Sequence, residues 1–163
     1  MRKKYILAAL LALAGCSKPF EFSNEPLVWY LAPTELKPVN IDHSSDYYLT
    51  GREALMKRQY NVALAHFYEA AQQNTNQHEA LLGVATSYSL MGHFAKADQY
   101  FKLYRKQFGE TVPYLNDNGF SLLLRGDYER AERQFLAAQK LKPSSLTIKN
   151  NLIGVRKLRE AKS

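Results

Sequence analysis

The amino-acid sequence predicts an all-α protein built from three helix-turn-helix repeats and a C-terminal capping helix. The first observation is a pattern that recurs every 34 residues without insertions, across residues 44–77, 78–111 and 112–145. The second is that apolar residues within the repeats follow helical spacing and are expected in the core, namely Leu115, Leu122 and Leu123 in one helix, and Ala131, Phe135, Ala138 and Leu141 in the next. An internal period of this length is typical of stacked repeats, in which each unit supplies part of a continuous core.

Three columns of the pattern carry most of the signal. Small residues occupy the eighth and twentieth places, namely Gly51, Ala85 and Gly119, then Ala63, Ala97 and Ala131. The twenty-fourth place is always phenylalanine, as Phe67, Phe101 and Phe135. Small residues allow the two helices of a repeat to approach closely, and we expect the phenylalanines to fill the space between neighbouring repeats.

Turn residues mark where the helices end. Gly92 and Gly126 are expected to terminate helices in the left-handed conformation, and Asp127 is placed to cap a helix that begins at Tyr128. The first repeat has Arg58 where the others have glycine, and it fits the pattern least.

The last segment, residues 146–163, is predicted to be a capping helix with a basic tail. One side of the helix is expected to be apolar, through Leu146, Ile148, Leu152, Val155 and Leu158. A terminal repeat needs such a cover. Glu160 is the one acidic residue among the basic residues at this end of the sequence. The basic residues fit either a solvated helix face or a contact with acidic partners or anionic headgroups. They are Lys140, Lys142, Lys149, Arg156, Lys157, Arg159 and Lys162.

The repeat pattern resembles the tetratricopeptide repeat. The resemblance implies a right-handed superhelix with a concave groove that binds a protein partner. Carrying over the groove-facing places gives a principal set of Tyr48, Arg52, Leu82, Thr86, Asn116 and Phe120. Further positions of the same kind are Ser45, Leu55, Glu79, Ser89 and Leu123. The fifth places lack the lysine that chaperone-binding relatives use to hold a terminal carboxylate.

The N-terminus has the form of a secretory signal. Arg2, Lys3 and Lys4 precede an apolar run that ends in Leu-Ala-Gly-Cys at Cys16. The run is shorter than the roughly 20 residues that span a bilayer. It resembles the bacterial lipobox, which implies removal of residues 1–15 and lipidation of Cys16. By the same resemblance, the serine after the cysteine favours the periplasmic face of the outer membrane.

Residues 16–43 form a proline-bearing tether in the predicted organisation. Proline restricts its own backbone and that of the preceding residue, which excludes a long helix here. The stretch around Trp29 is nevertheless apolar. It is expected to pack against the first helical pair, or to contact a partner or the membrane interface. A third alternative is that residues 26–33 occupy the groove of a second copy and cause self-association.

Composition argues against several function classes. The 163-residue chain has one cysteine and a net charge of +7, and removing the predicted signal leaves 19 basic and 15 acidic residues. No disulfide framework, catalytic motif, phosphate loop or metal-ligand spacing is present. We expect no enzyme activity, cofactor, metal, nucleic acid or small-molecule substrate. His43, His66, His78 and His93 are expected to be surface residues.

The combined pattern predicts an outer-membrane-anchored periplasmic adaptor. Among lipoproteins of this architecture, the chain most resembles those of tight-adherence (Flp) pilus loci, and next the pilotins of type IV pili. The resemblance implies a partner in a pilus or secretion apparatus, with a secretin as one candidate. The alternative is a scaffold for cell-wall or outer-membrane biogenesis.

Overall fold

A computed structural model describes residues 46–73 and 76–162. This part of the chain is helical and contains no strand; its helices are α1 Tyr47–Met56, α2 Tyr60–Gln72, α3 Gln77–Leu90, α4 Phe94–Phe108, α5 Val112–Leu124, α6 Tyr128–Leu141 and α7 Leu146–Glu160. The all-α fold class, with three repeated helix hairpins and a C-terminal helix, is confirmed. The predictions for the signal, Cys16, the tether, Trp29, His43 and Ser45 lie outside the described residues.

The described chain divides into two compact units after Gly109. In the N-terminal unit, residues 46–109, each helix of α1 to α4 packs on the next, and α1 also contacts α3. In the C-terminal unit, residues 110–162, α6 packs on both α5 and α7, and α7 also contacts α5. The capping helix therefore covers the α5–α6 hairpin, as the sequence predicts.

The first helix of each hairpin ends in the same left-handed turn. Arg58, Gly92 and Gly126 have φ values of 60°, 77° and 79°. The amide of each donates to a carbonyl three residues back, and the next amide donates five residues back. This is the hydrogen-bond pattern of a Schellman-type helix end. The predicted glycine turns are confirmed, and Arg58 adopts the same conformation without being glycine.

Side-chain caps begin several helices. Asp127 accepts a hydrogen bond from the Arg130 amide at 3.2 Å and caps α6, as predicted. Thr111 and Ser145 accept from the amides of Tyr114 and Ile148 in the same way. Each cap satisfies one of the amides that a helix start leaves without an intrahelical partner.

The N-terminal unit shows why the pattern requires small residues. The Phe67 ring on α2 lies against Gly51 on α1 and also against Gly83 on α3. A Cβ built on these glycines would lie 2.9 Å and 2.6 Å, respectively, from the nearest atom of the ring. The phenylalanine of the first repeat thus fills the space between that repeat and the next one.

The same relationship recurs in the C-terminal unit. A Cβ on Gly119 of α5 would lie 2.7 Å from the Phe135 ring on α6. The repeated phenylalanines Phe67, Phe101 and Phe135 are all buried, and so are the alanines at the twentieth places. Their predicted interior positions are confirmed.

Three expectations about surface and core are wrong. Leu146 is expected on the apolar side of the last helix, but it is 73% exposed, because an α-helix turns about 100° per residue and so places Leu146 on the side opposite the buried Ile148. Leu141, expected in the core of α6, is 59% exposed at the helix end. His66 is buried rather than on the surface, and its ring lies 6.0 Å from that of Tyr47.

Candidate partner-binding surface

Tyr48 and Arg52 are the accessible members of the principal set of predicted groove residues. They lie one helical turn apart on α1, and both are half-buried. The Arg52 guanidinium carbon is 5.8 Å from the centre of the Tyr48 ring, in the range of a cation–π contact. The centre of the Tyr48 ring is 5.9 Å from that of the buried Phe67 ring, so Tyr48 packs against the core. Tyrosine and arginine in such a pair are frequent anchors of protein interfaces.

Leu82 and Thr86 lie one turn apart on α3, and both are buried. The Thr86 hydroxyl is buried and makes no hydrogen bond in the described structure. By contrast, the neighbouring Ser87 and Ser89 donate to the carbonyls of Gly83 and Ala85 within their own helix. α3 therefore buries three neighbouring hydroxyl groups, and the two serine hydroxyls are satisfied within the helix itself.

Asn116 and Phe120, on α5, are also buried. The Asn151 amide on α7 donates to the Asn116 side-chain oxygen at 2.8 Å. In turn, the Asn116 amide donates to Asp117 at 3.1 Å. Asn116 thus joins the capping helix to the third hairpin, a structural role that the repeat pattern does not reveal.

The six predicted groove residues differ in access. Tyr48 and Arg52 are brought together at a half-buried site, whereas Leu82, Thr86, Asn116 and Phe120 are buried. A buried side chain presents little of its surface to a partner in this conformation. Contact between these residues and a partner therefore stays a prediction, and Tyr48 with Arg52 is its most accessible part.

Asp117 is a buried carboxyl that sequence reasoning missed. Burial raises the pKa of Asp117 from 3.8 to about 7, and the hydrogen bond from Asn116 opposes that shift. A repeat pattern built on apolar and small residues gives no sign of it. Because α5 holds the carboxyl away from water, its charge state is coupled to the stability of this unit.

A cluster of tyrosines in the N-terminal unit also went unpredicted. Tyr88 on α3 and Tyr100 on α4 stack at 5.7 Å, and the Lys96 ammonium lies 5.4 Å from the Tyr88 ring centre. Burial raises the pKa of Tyr88 and of Tyr100, with a smaller contribution from neighbouring tyrosines that include Tyr68. Both phenols are therefore neutral near pH 7.

The described residues hold no group of three or more His, Cys, Asp or Glu side chains arranged to bind a metal ion. Within the same part of the chain, none of the helices has both the length and the apolar character needed to cross a bilayer. No protein-family model matches the chain, and no curated protein matches it significantly.

Proposed function

We propose that this protein is an outer-membrane-anchored periplasmic adaptor that holds a protein partner during assembly of a pilus or secretion machine. A lipid on Cys16 would anchor the chain, and residues 16–43 would space the helical hairpins from the membrane. The partner would belong to a tight-adherence (Flp) or type IV-like apparatus, with a secretin as a candidate. The proposed role is binding rather than catalysis.

The main support for a binding role is the regular packing of the repeated helix hairpins. Phe67 lies between Gly51 and Gly83, and Phe135 repeats the contact with Gly119. Repeats of this kind commonly present extended surfaces for protein binding. The Tyr48–Arg52 pair on α1 supplies an aromatic face and a cation at a half-buried site. Such a site suits a peptide that offers an apolar side chain next to an acceptor.

The anchor is tested by mass spectrometry of the protein from membranes. We expect a mature N-terminus at Cys16 with acyl chains attached, and loss of membrane retention in Cys16→Ala. An unmodified thiol on a protein that fractionates away from membranes would contradict the anchored adaptor.

The partner is tested by crosslinked pull-down from membranes, comparing wild type with Tyr48→Ala plus Arg52→Ala. We expect the variant to lose a specific envelope protein. Phe120→Ala is unsuitable, because removing a buried phenylalanine typically costs about 3–5 kcal/mol of stability. The matched control is Gln99→Ala plus Lys102→Ala, two exposed positions on α4. An unchanged set of partners in the Tyr48 and Arg52 variant would remove this surface from the proposal.

The pathway is tested in a deletion strain. Loss of surface pili or of secretin assembly, with normal cell shape, supports the proposed machine. Altered cell shape with normal piliation would instead assign the adaptor to cell-wall or outer-membrane biogenesis.

A further inference from the structure

The turn between α6 and α7 presents two exposed leucines among lysines. Leu141 ends α6 with 59% of its surface exposed, and Leu146 begins α7 with 73% exposed. Only residues 142–145 connect the helices, and a hydrogen bond from the Ser145 amide to the Lys142 carbonyl closes the turn. The leucines therefore flank one tight turn and protrude from the same end of the C-terminal unit. We call Lys140, Leu141, Lys142, Leu146 and Lys149 the α6–α7 tip.

The charges at the tip have a single sign. Lys140, Lys142 and Lys149 are exposed, and none forms an ion pair with a described residue. The chain contains no Asp or Glu from Arg133 to Arg159. At the opposite end of α7, Arg156 and Arg159 both pair with the single carboxylate of Glu132.

One face of α7 continues the same pattern. Leu146 is the first residue of α7. Lys149 and Ile153 follow it by three and seven residues, so all three lie on one face of the helix. All three are exposed, and Ile153 is 50% exposed. An exposed apolar residue beside unpaired lysines is the side-chain combination that interfacial segments use at anionic bilayers.

We infer that the α6–α7 tip docks on the anionic surface of a lipid bilayer. The leucines enter the boundary between headgroups and acyl chains, and the lysines lie over the phosphates. This contact rests on the proposed function, since the lipid on Cys16 would hold the protein beside a membrane. It adds a second point of attachment that orients the C-terminal unit toward the bilayer.

Two features favour a bilayer over a protein. Five side chains within ten residues are far fewer than the roughly 20–30 residues that each partner contributes to a stable protein interface. A fluid bilayer adapts to an isolated protrusion and requires no matching pocket. A second copy that presented the same tip would bring lysines against lysines, which opposes symmetric association at this site.

The test is vesicle binding by mature-length protein, residues 16–163, carrying Cys16→Ser, so that the lipid cannot contribute. We expect binding to vesicles of phosphatidylglycerol and phosphatidylethanolamine, weak binding to phosphatidylcholine alone, and loss of binding in 0.5 M NaCl. Replacing all three tip lysines by glutamine should weaken binding by about fivefold for each lysine. Leu141→Ser plus Leu146→Ser should weaken binding by about tenfold for each leucine.

The controls remove equal charge and similar apolar surface elsewhere. They are Lys96→Gln, Lys102→Gln and Lys106→Gln together on α4, and Leu49→Ser plus Leu103→Ser, at positions that are all exposed. We expect both controls to bind vesicles as wild type does. Circular dichroism establishes that every variant is folded.

Tryptophan fluorescence detects the contact with lipid directly and does not depend on a variant that fails to bind. Because Trp29 is the only tryptophan, Trp29→Phe plus Leu146→Trp places a single tryptophan at the tip, which can be excited selectively in the presence of the tyrosines. Its emission should shift to the blue on anionic vesicles and remain unshifted on phosphatidylcholine. An unshifted emission, equal binding by tip and control variants, or sedimentation showing that the tip instead joins two copies would each overturn the inference. These outcomes leave the adaptor proposal standing, whereas an unlipidated Cys16 would defeat the adaptor without affecting vesicle binding.

Discussion

The Phe67 ring lies so close to the Gly83 backbone that a Cβ on Gly83 would sit 2.6 Å from two atoms of the ring. Phe67 is buried, and Gly51 touches the same ring from α1. A shift of the ring toward either glycine would therefore produce a steric clash and destabilise the protein. This contact sets how closely α2 and α3 approach each other at this point.

Gly83→Ala is therefore expected to destabilise the protein, although alanine is the better helix former. The helix gain is about 1 kcal/mol. Overpacking a buried contact costs about 1–3 kcal/mol, and the closeness of the Phe67 ring places this site at the upper end. We expect a net loss of about 1–2 kcal/mol in urea unfolding, and a smaller loss for Gly51→Ala, whose added Cβ lies 2.9 Å from the ring.

A double-variant cycle identifies the ring as the cause. Phe67→Leu creates room, so Gly83→Ala should cost less in that background than in wild type. Equal costs in the two backgrounds would show that the ring does not set the limit.

The sequence predicts the contacts that recur in every repeat, and it does not predict those that occur only once. Phe67, Phe101 and Phe135 are buried at the same place of three repeats, so their recurrence in the sequence reveals that they belong to the core. Gly83 receives a ring from the preceding repeat, and no periodic column marks it. The hydrogen bond from Asn151 to Asn116 joins residues 35 positions apart and occurs once. Such single contacts depend on the exact approach of two helices, which a periodic pattern does not specify.

The candidate site was predictable only in part. The resemblance to repeat proteins predicts which helical places face a groove, and the structure shows that two of these residues, Tyr48 and Arg52, lie one turn apart and half-buried. It does not predict the burial of Asn116, because that depends on the path of the capping helix. Leu141 is exposed because its helix ends there, which an apolar pattern does not show, whereas Leu146 lies on the side of α7 opposite Ile148.

Arg58 occupies the left-handed turn that Gly92 and Gly126 occupy in the later hairpins. A residue with a Cβ in the left-handed conformation destabilises the fold by about 1–2 kcal/mol. Glycine avoids this steric strain, but it loses more backbone entropy on folding, so the net gain is smaller. We expect Arg58→Gly to stabilise the protein by about 0.5–1 kcal/mol in thermal or urea unfolding.

The converse substitution provides the matched control for Arg58. A Cβ on Gly126 would meet only the Lys162 ammonium, at 3.9 Å, so space is available for it. Gly126→Ala should nevertheless destabilise by about 1 kcal/mol, because its φ is 79°. If neither substitution changes the free energy of unfolding, backbone strain in the left-handed turns does not affect the stability of the protein.

Glu132 fastens the capping helix to the third hairpin. Its carboxylate accepts a hydrogen bond from Arg156 Nε at 2.6 Å and a second from Arg159. The Glu132 side chain is 11% exposed, whereas the arginines are about half exposed, so solvent weakens part of the attraction. We expect Glu132→Gln to destabilise the C-terminal unit by about 1–2 kcal/mol and to increase hydrogen exchange in α7.

Glu129, one turn earlier on α6 and exposed, supplies the control for this pair. Glu129→Gln removes the same charge without touching α7, and we expect α7 exchange rates equal to those of wild type. Faster α7 exchange in both variants would attribute the effect to net charge instead of the ion pairs.

Asp117 predicts a pH dependence of opposite sign to that of most carboxylates. Burial raises its pKa from 3.8 to about 7 in the folded protein, so the native state binds more protons than the unfolded state between those values. The contribution of Asp117 to stability is therefore fully retained below about pH 4 and lost as pH rises toward 7. The shift corresponds to a loss of at most about 4 kcal/mol.

Asp117→Asn tests this sign directly. The asparagine oxygen can still accept the hydrogen bond from Asn116, and the side chain carries no charge at any pH. Urea unfolding of the C-terminal unit should give a variant more stable than wild type by about 2–4 kcal/mol at pH 8, with the difference shrinking toward pH 4. Repeating the measurement in 0.5 M NaCl should preserve the difference, because salt screens distant surface charges but not the cost of desolvation. A wild-type protein whose stability relative to the variant is the same at pH 4 and pH 8 would show that Asp117 ionises as readily when folded as when unfolded.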